Sequence, residues 1–260
     1  MWKTLKIALS IGFIALIAAP VQAAEDPQLK AESVRDRAIS KLVAWRPKTA
    51  QSILKTGVKY EESQPWLTAE ALLMATYGIG QDEETVAQAL KILDNQTKKI
   101  GTDPVSEYYR GVILSWTDQP EKAEAAFQSA KGRAAAQVKE NARDARARFY
   151  LGASLINLRK PSDARKALKK ASRLGFDKPM VDFQIGLSYV LEQNWKAAKN
   201  SFDDVHELDP RYAHLYFYRG LAWDKLGRKD QLLNDLDQFV KLAPNSPEAK
   251  TARAILASVR

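Results

Sequence analysis

The chain has 260 residues, 40 Lys and Arg against 31 Asp and Glu for a formal charge of +9, 45% apolar residues and no cysteine. The apolar content excludes a disordered chain. The missing cysteines exclude disulfide frameworks, zinc-thiolate sites, iron–sulfur clusters, a thiol nucleophile and a lipid anchor on cysteine. With 12 Gly, 11 Pro and a dominance of Ala, Leu, Lys, Glu and Arg, the composition points to an all-helical protein.

The first 23 residues have the three-part layout of a secretory signal. Lys3 and Lys6 make a basic head, Ile7 to Ala19 an apolar run ended by Pro20, and Val21-Gln22-Ala23 a small-residue cleavage site. Cleavage after Ala23 would remove two lysines and no acid, leaving 38 − 31 = +7. The alternative is an uncleaved anchor, although the run is shorter than the ~20 residues a spanning helix needs. Export to a periplasmic or secreted location is therefore expected. It weakens the reading of a basic chain as a nucleic-acid binder, so no nucleic-acid partner is expected.

Val34, Ala38, Leu42 and Trp45 recur at spacings of four, four and three, a helical stripe broken at Arg46-Pro47. A second helix is expected over Lys48–Tyr60, a third over Trp66–Tyr77, a turn at Gly78-Ile79-Gly80 and a fourth helix over Asp82–Lys99. The whole span 24–103 reads as degenerate helical repeats.

Beyond residue 103 a period of 34 residues appears. Gly152, Gly186 and Gly220 are 34 apart, as are Phe149, Phe183 and Phe217, and Pro210 and Pro244. Four units follow, 104–137, 145–178, 179–212 and 213–246. Each has Gly at position 8: Gly111, Gly152, Gly186 and Gly220. Position 20 holds Ala123, Ala164, Ala198 and Leu232; position 24 holds Phe127, Leu168, Phe202 and Leu236. A small residue where two helices cross allows close approach, and Pro at position 32 ends the second helix. The step from Gly111 to Gly152 is 41, and the seven extra residues fall in Gly132–Asp144, expected as lengthened helices and a longer turn. Ser246–Val259 has the look of a capping helix.

These residues resemble the tetratricopeptide repeat family, whose pattern is Trp-x2-Leu-Gly-x2-Tyr, Ala-x3-Phe and Pro. The unit 179–212 matches it with Ile185-Gly186-x2-Tyr189, Ala198-x3-Phe202 and Pro210, and departs at the Trp position, which holds Asp182. The resemblance implies an all-α right-handed solenoid of helix pairs following the signal, with 247–260 as the C-terminal cap. It also implies a concave groove lined by positions 5 and 9 of each first helix. Those are Tyr108 and Val112, Phe149 and Ala153, Phe183 and Leu187, and Phe217 and Leu221. Two roles remain open for the aromatic residues: anchoring a bound segment, or packing neighbouring repeats. The Lys and Asn of the family's carboxylate-clamp subclass are missing from positions 5 and 9.

Charge is uneven. Residues 131–178 hold 14 Lys and Arg and 4 Asp and Glu, and Arg165, Lys166, Lys169, Lys170 and Arg173 follow helical spacing on one outer face. Such a run is either a solvated face or a docking patch for an acidic surface. No catalytic residues, cofactor loop or metal site are read from the chain. Gly78-Ile79-Gly80 lacks a third glycine and a preceding strand, and His206 and His214 flank a turn. The expected function is non-enzymatic, cofactor-free binding of a protein or peptide partner within an envelope assembly. The alternative is attachment to anionic lipid or polymer through 131–178.

Overall fold

The computed structural model describes residues 27–55, 67–79, 82–100 and 103–259. The expected signal, the end of the helix expected over Lys48–Tyr60, and Trp66 lie outside them. Among the described residues the chain forms helices and no strand. They are α1 (Pro27–Val43), α2 (Pro47–Lys55), α3 (Leu67–Gly78), α4 (Glu83–Ile100), α5 (Pro104–Trp116), α6 (Pro120–Glu140), α7 (Ala145–Asn157), α8 (Pro161–Arg173), α9 (Lys178–Leu191), α10 (Trp195–Leu208), α11 (Ala213–Lys225), α12 (Lys229–Leu242) and α13 (Ala249–Val259).

Local chemistry sets the helix starts. Asp103, Asp144 and Asp177 cap α5, α7 and α9 by accepting from the backbone N–H three residues on, and Asn194 does the same for α10. Pro104, Pro120 and Pro161 open α5, α6 and α8, where a missing N–H costs nothing. The seven extra residues before Gly152 go into α6, a 21-residue helix. Trp45 falls in the α1–α2 turn and not on the helix.

Each odd-numbered helix from α3 to α11 packs on the helix that follows it, and each pair stacks on the next. The period has a direct physical reading. Phe127 and Phe202 rings lie over Gly111 and Gly186, and Leu168 lies over Gly152. Ala123, Ala164 and Ala198 are buried in the same crossings. The core runs along the whole stack, because one repeat alone cannot bury its apolar faces. α13 turns Ala249, Ala252 and Leu256 inward, covers α12 and leaves Thr251, Arg253 and Ser258 outside. No helix among the described residues is long and apolar enough to cross a membrane.

Candidate functional site

Residues of α5, α7, α9 and α11 line one shared cavity, and positions 5 and 9 lie on these helices. Tyr108, Phe149, Ala153, Phe183 and Phe217 are all buried, and Val112, Leu187 and Leu221 are half-buried. The aromatic side chains at position 5 do not form an exposed ladder. Phe149 stacks on Phe176 at 4.4 Å, Phe183 packs on Phe202, Tyr212 and Tyr218, and Phe217 packs on Tyr218 and Phe239. Tyr108 meets Tyr109, Phe127 and Tyr150. Each ring therefore joins its own repeat to its partner helix or to the next repeat. Exposed anchors at these positions are ruled out by that packing.

The groove is also occupied in part by the chain itself. The apolar face of α1, with Ala38, Ile39 and Leu42, packs on α2 and α3. Its other face reaches across the starts of the later odd-numbered helices. Arg146 pairs with Glu32 at 2.5 Å and Asp36 at 2.7 Å, and Arg35 lies 3.7 Å from Asp103. The Ser40 hydroxyl donates to Asp177 at 2.8 Å. At the α1–α2 turn the Trp45 ring meets the edges of Trp116 and His214, Arg46 pairs with Asp209, and the Ala44 carbonyl accepts from the Ala213 N–H at 3.4 Å.

What remains open is a cavity of about 160 Å³ bounded by Val43, Val112, Phe149, Phe183, Leu187 and Tyr218. Its polar lining is Asn157, Gln184, His214 and Glu248, with the hydroxyl-bearing Tyr108, Tyr109, Tyr212 and Tyr218. The Gln184 amide donates to the Tyr108 hydroxyl at 3.3 Å, and its carbonyl oxygen has no partner among the described residues. Burial pushes the Tyr108 hydroxyl up to about 12, against the opposing pull of hydrogen bonds from Asn157 and Gln184, so it stays neutral. A mostly apolar cavity with a few amide and hydroxyl groups suits a hydrophobic side chain and its flanking peptide group.

The sequence left open whether the chain's own N-terminal helices fill the groove, and it did not single out the α1–α2 turn as the segment that docks. A signal existed. Asp118, Arg159, Gln193 and Gly227 hold the left-handed residue of the later interhelix turns, and Trp45 holds it in the first. A buried tryptophan in a slot otherwise given to polar residues or glycine marks a docked turn.

The basic face divides. Lys166, Lys169, Lys170 and Arg173 are exposed on α8, opposite the buried Ala164, Ala167, Leu168 and Ala171. Lys166 pairs with Asp163 at 2.9 Å, while Lys169, Lys170 and Arg173 have no ion-pair partner among the described residues. Arg165 is not part of this face. It bonds Glu192 at 2.8 Å and Ser188 at 3.1 Å and covers the Tyr189 ring at 4.6 Å, tying α8 to α9. His206 contacts the Tyr216 hydroxyl at 3.0 Å, and no group of three or more metal-type ligands is gathered among the described residues.

The stacking of paired helices is matched in solved structures. No family model matches the chain. A thermophilic TPR protein of Thermus thermophilus superposes with a TM-score of 0.54 at 16% identity, over 75% of this chain and 98% of that one. The fold is the tetratricopeptide-type solenoid. A chain of the APC/C hetero-tetramer Cut9–Hcn1 also superposes at 0.54, with 14% identity, over 92% of this chain and 43% of that one.

Proposed function

We propose that this solenoid is an exported, non-catalytic adaptor that binds a peptide or protein segment of an envelope assembly along its inner face. The observation that carries this reading is the way the α1–α2 turn lies against that face. It is held there by an aromatic ring, a backbone hydrogen bond and an ion pair, the means by which peptides are held. The apolar cavity beside it offers room for one further side chain. The export half of the reading rests on Met1–Ala23. Affinity capture from an envelope fraction tests the adaptor. One recurring assembly retained at high salt supports it, and recovery of nothing above a control overturns it. An intact mass beginning at Ala24 is the expected result for export, and a mass that includes residues 1–23 would make the segment an anchor.

A second reading has its own observation, the exposed and largely unpaired cations Lys169, Lys170 and Arg173 on α8. In it the solenoid docks on anionic lipid or polymer, and salt alone releases it.

A further inference from the structure

The turn between α1 and α2 is bound by contacts that a separate peptide could make. Trp45 stands edge-on to Trp116 at 6.1 Å and to His214 at 5.3 Å. The Arg46 guanidinium meets both oxygens of Asp209. The helix start it reaches is incomplete without it. The cap residue of α11, Tyr212, makes no side-chain capping bond, and the Ala44 carbonyl accepts from the first N–H of that helix.

Two further observations make this seat one that opens. The remaining bonds of α1 across the groove are ion pairs and one hydroxyl bond; Arg35 is buried, while the Arg146 pairs with Glu32 and Asp36 join partly exposed groups, individually weak and screened by salt. The repeats that carry the turn are also loosely joined to the rest. Between α4 and the α5–α6 pair lie clefts of about 600 Å³, beside Ile79, Val86 and Trp116, and about 420 Å³, beside Leu90, Arg110 and Leu114.

We propose that Ala44-Trp45-Arg46 is a displaceable internal ligand, and that the seat formed by Trp116, Asp209, Ala213 and His214 takes in its place a partner segment presenting an aromatic residue followed directly by arginine or lysine. This rests on the adaptor reading and names the chemistry of its partner. The closed turn lowers the apparent affinity for such a segment by the fraction of open molecules.

The test uses the full chain and a labelled peptide of residues 41–48, Lys-Leu-Val-Ala-Trp-Arg-Pro-Lys. A Trp45→Ala/Arg46→Ala chain, whose seat is vacated, should bind this peptide about tenfold tighter or better than the unaltered chain. Adding Asp209→Asn should reverse most of that gain, and a peptide with Ala for Trp should bind neither chain. Equal binding by the unaltered and vacated chains, or binding by neither, overturns the proposal. Hydrogen exchange on the unaltered chain covers the case of a misfolded variant. Amides of α1 and α2 should open ahead of those of α7–α12, and saturating peptide should speed them further; exchange in step with α7–α12 overturns it equally. A vacated chain that binds the peptide but captures no envelope protein defeats the adaptor reading and leaves the internal ligand standing.

Discussion

A methyl group added at Gly186 would stand 2.5 Å from the buried Phe202 ring, and one added at Gly111 would stand 2.6 Å from Phe127. At Gly220 the first neighbours are Asp235 Cβ at 3.4 Å, Leu236 Cδ2 at 3.5 Å and Leu232 Cδ1 at 3.6 Å, the last standing at position 20 where the other three units have Ala. The same repeat position therefore has two sensitivities. Gly186→Ala should cost about 1–3 kcal/mol, since the Phe202 ring has Phe183 and Tyr218 against it and must displace them. Gly220→Ala should be neutral or stabilising by up to ~1 kcal/mol through helix propensity. Thermal melts of the two variants decide, and equal losses would mean that the crossing is not set by the ring. Phe183→Ala belongs to the same scale. With its ring buried among Phe202, Tyr212 and Tyr218, truncation should cost about 3–5 kcal/mol of stability. A near-normal melt would return Phe183 to the surface role that its packing denies.

Individual helices were largely legible where period and punctuation coincide. The spans of α7 to α12 follow from glycine, alanine and proline spacing, because each residue type is demanded by one recurring contact. The lengthening of α6 was legible as seven extra residues. The start of α13 was less so, because Ser246 and Pro247 form a turn ahead of the helix at Ala249. On α8 the helical spacing grouped Arg165 with four other cations, but only contacts with the next repeat separate it from them. Replacing Lys166, Lys169, Lys170 and Arg173 with Gln should leave melting nearly unchanged and reduce low-salt binding to anionic vesicles. Arg165→Gln should do the opposite. It should cost about 1 kcal/mol through the lost Glu192 pair and Tyr189 contact while sparing vesicle binding. Vesicle binding that the fourfold change does not touch would assign the face to solubility.

The turn before α13 also carries a titration. Burial pushes the Glu248 carboxyl up, but the His214 imidazole 3.3 Å away, with the backbone N–H and Ser246, outweighs it and holds the group below its ordinary value of 4.5. A carboxyl depressed in the folded state contributes stability above its unfolded value. That contribution is lost as pH falls through the folded value, below 4.5. The stability gap between the unaltered chain and Glu248→Gln should therefore be present above 4.5 and narrow as pH falls below it. A gap that does not vary with pH would show that the pair carries no such linkage.

At the scale of the molecule, a solenoid is held mainly by contacts between neighbours, so it unfolds as one unit only while every interface between repeats is strong. Here the contact of α4 with α5 is thinner than those of α6 with α7, α8 with α9 or α10 with α11, and two clefts flank it. The α1–α2 turn bridges that weak point from outside the neighbour series. Arg46 meets Asp209 across 163 residues and Ser40 meets Asp177 across 137. Such ties have no period and no local pattern, which is why the sequence reveals the stack but not its closure. Trp45→Ala with Arg46→Ala removes the ring contacts and the charge pair while leaving the α4–α5 interface intact. Denaturant unfolding followed by circular dichroism should then change from one transition to two. The repeats α1–α4 should melt first and α5–α13 later, at a midpoint close to that of the unaltered chain. If a single transition persists with both midpoints lowered together, the α4–α5 interface alone couples the halves, and the docked turn adds stability without adding cooperativity.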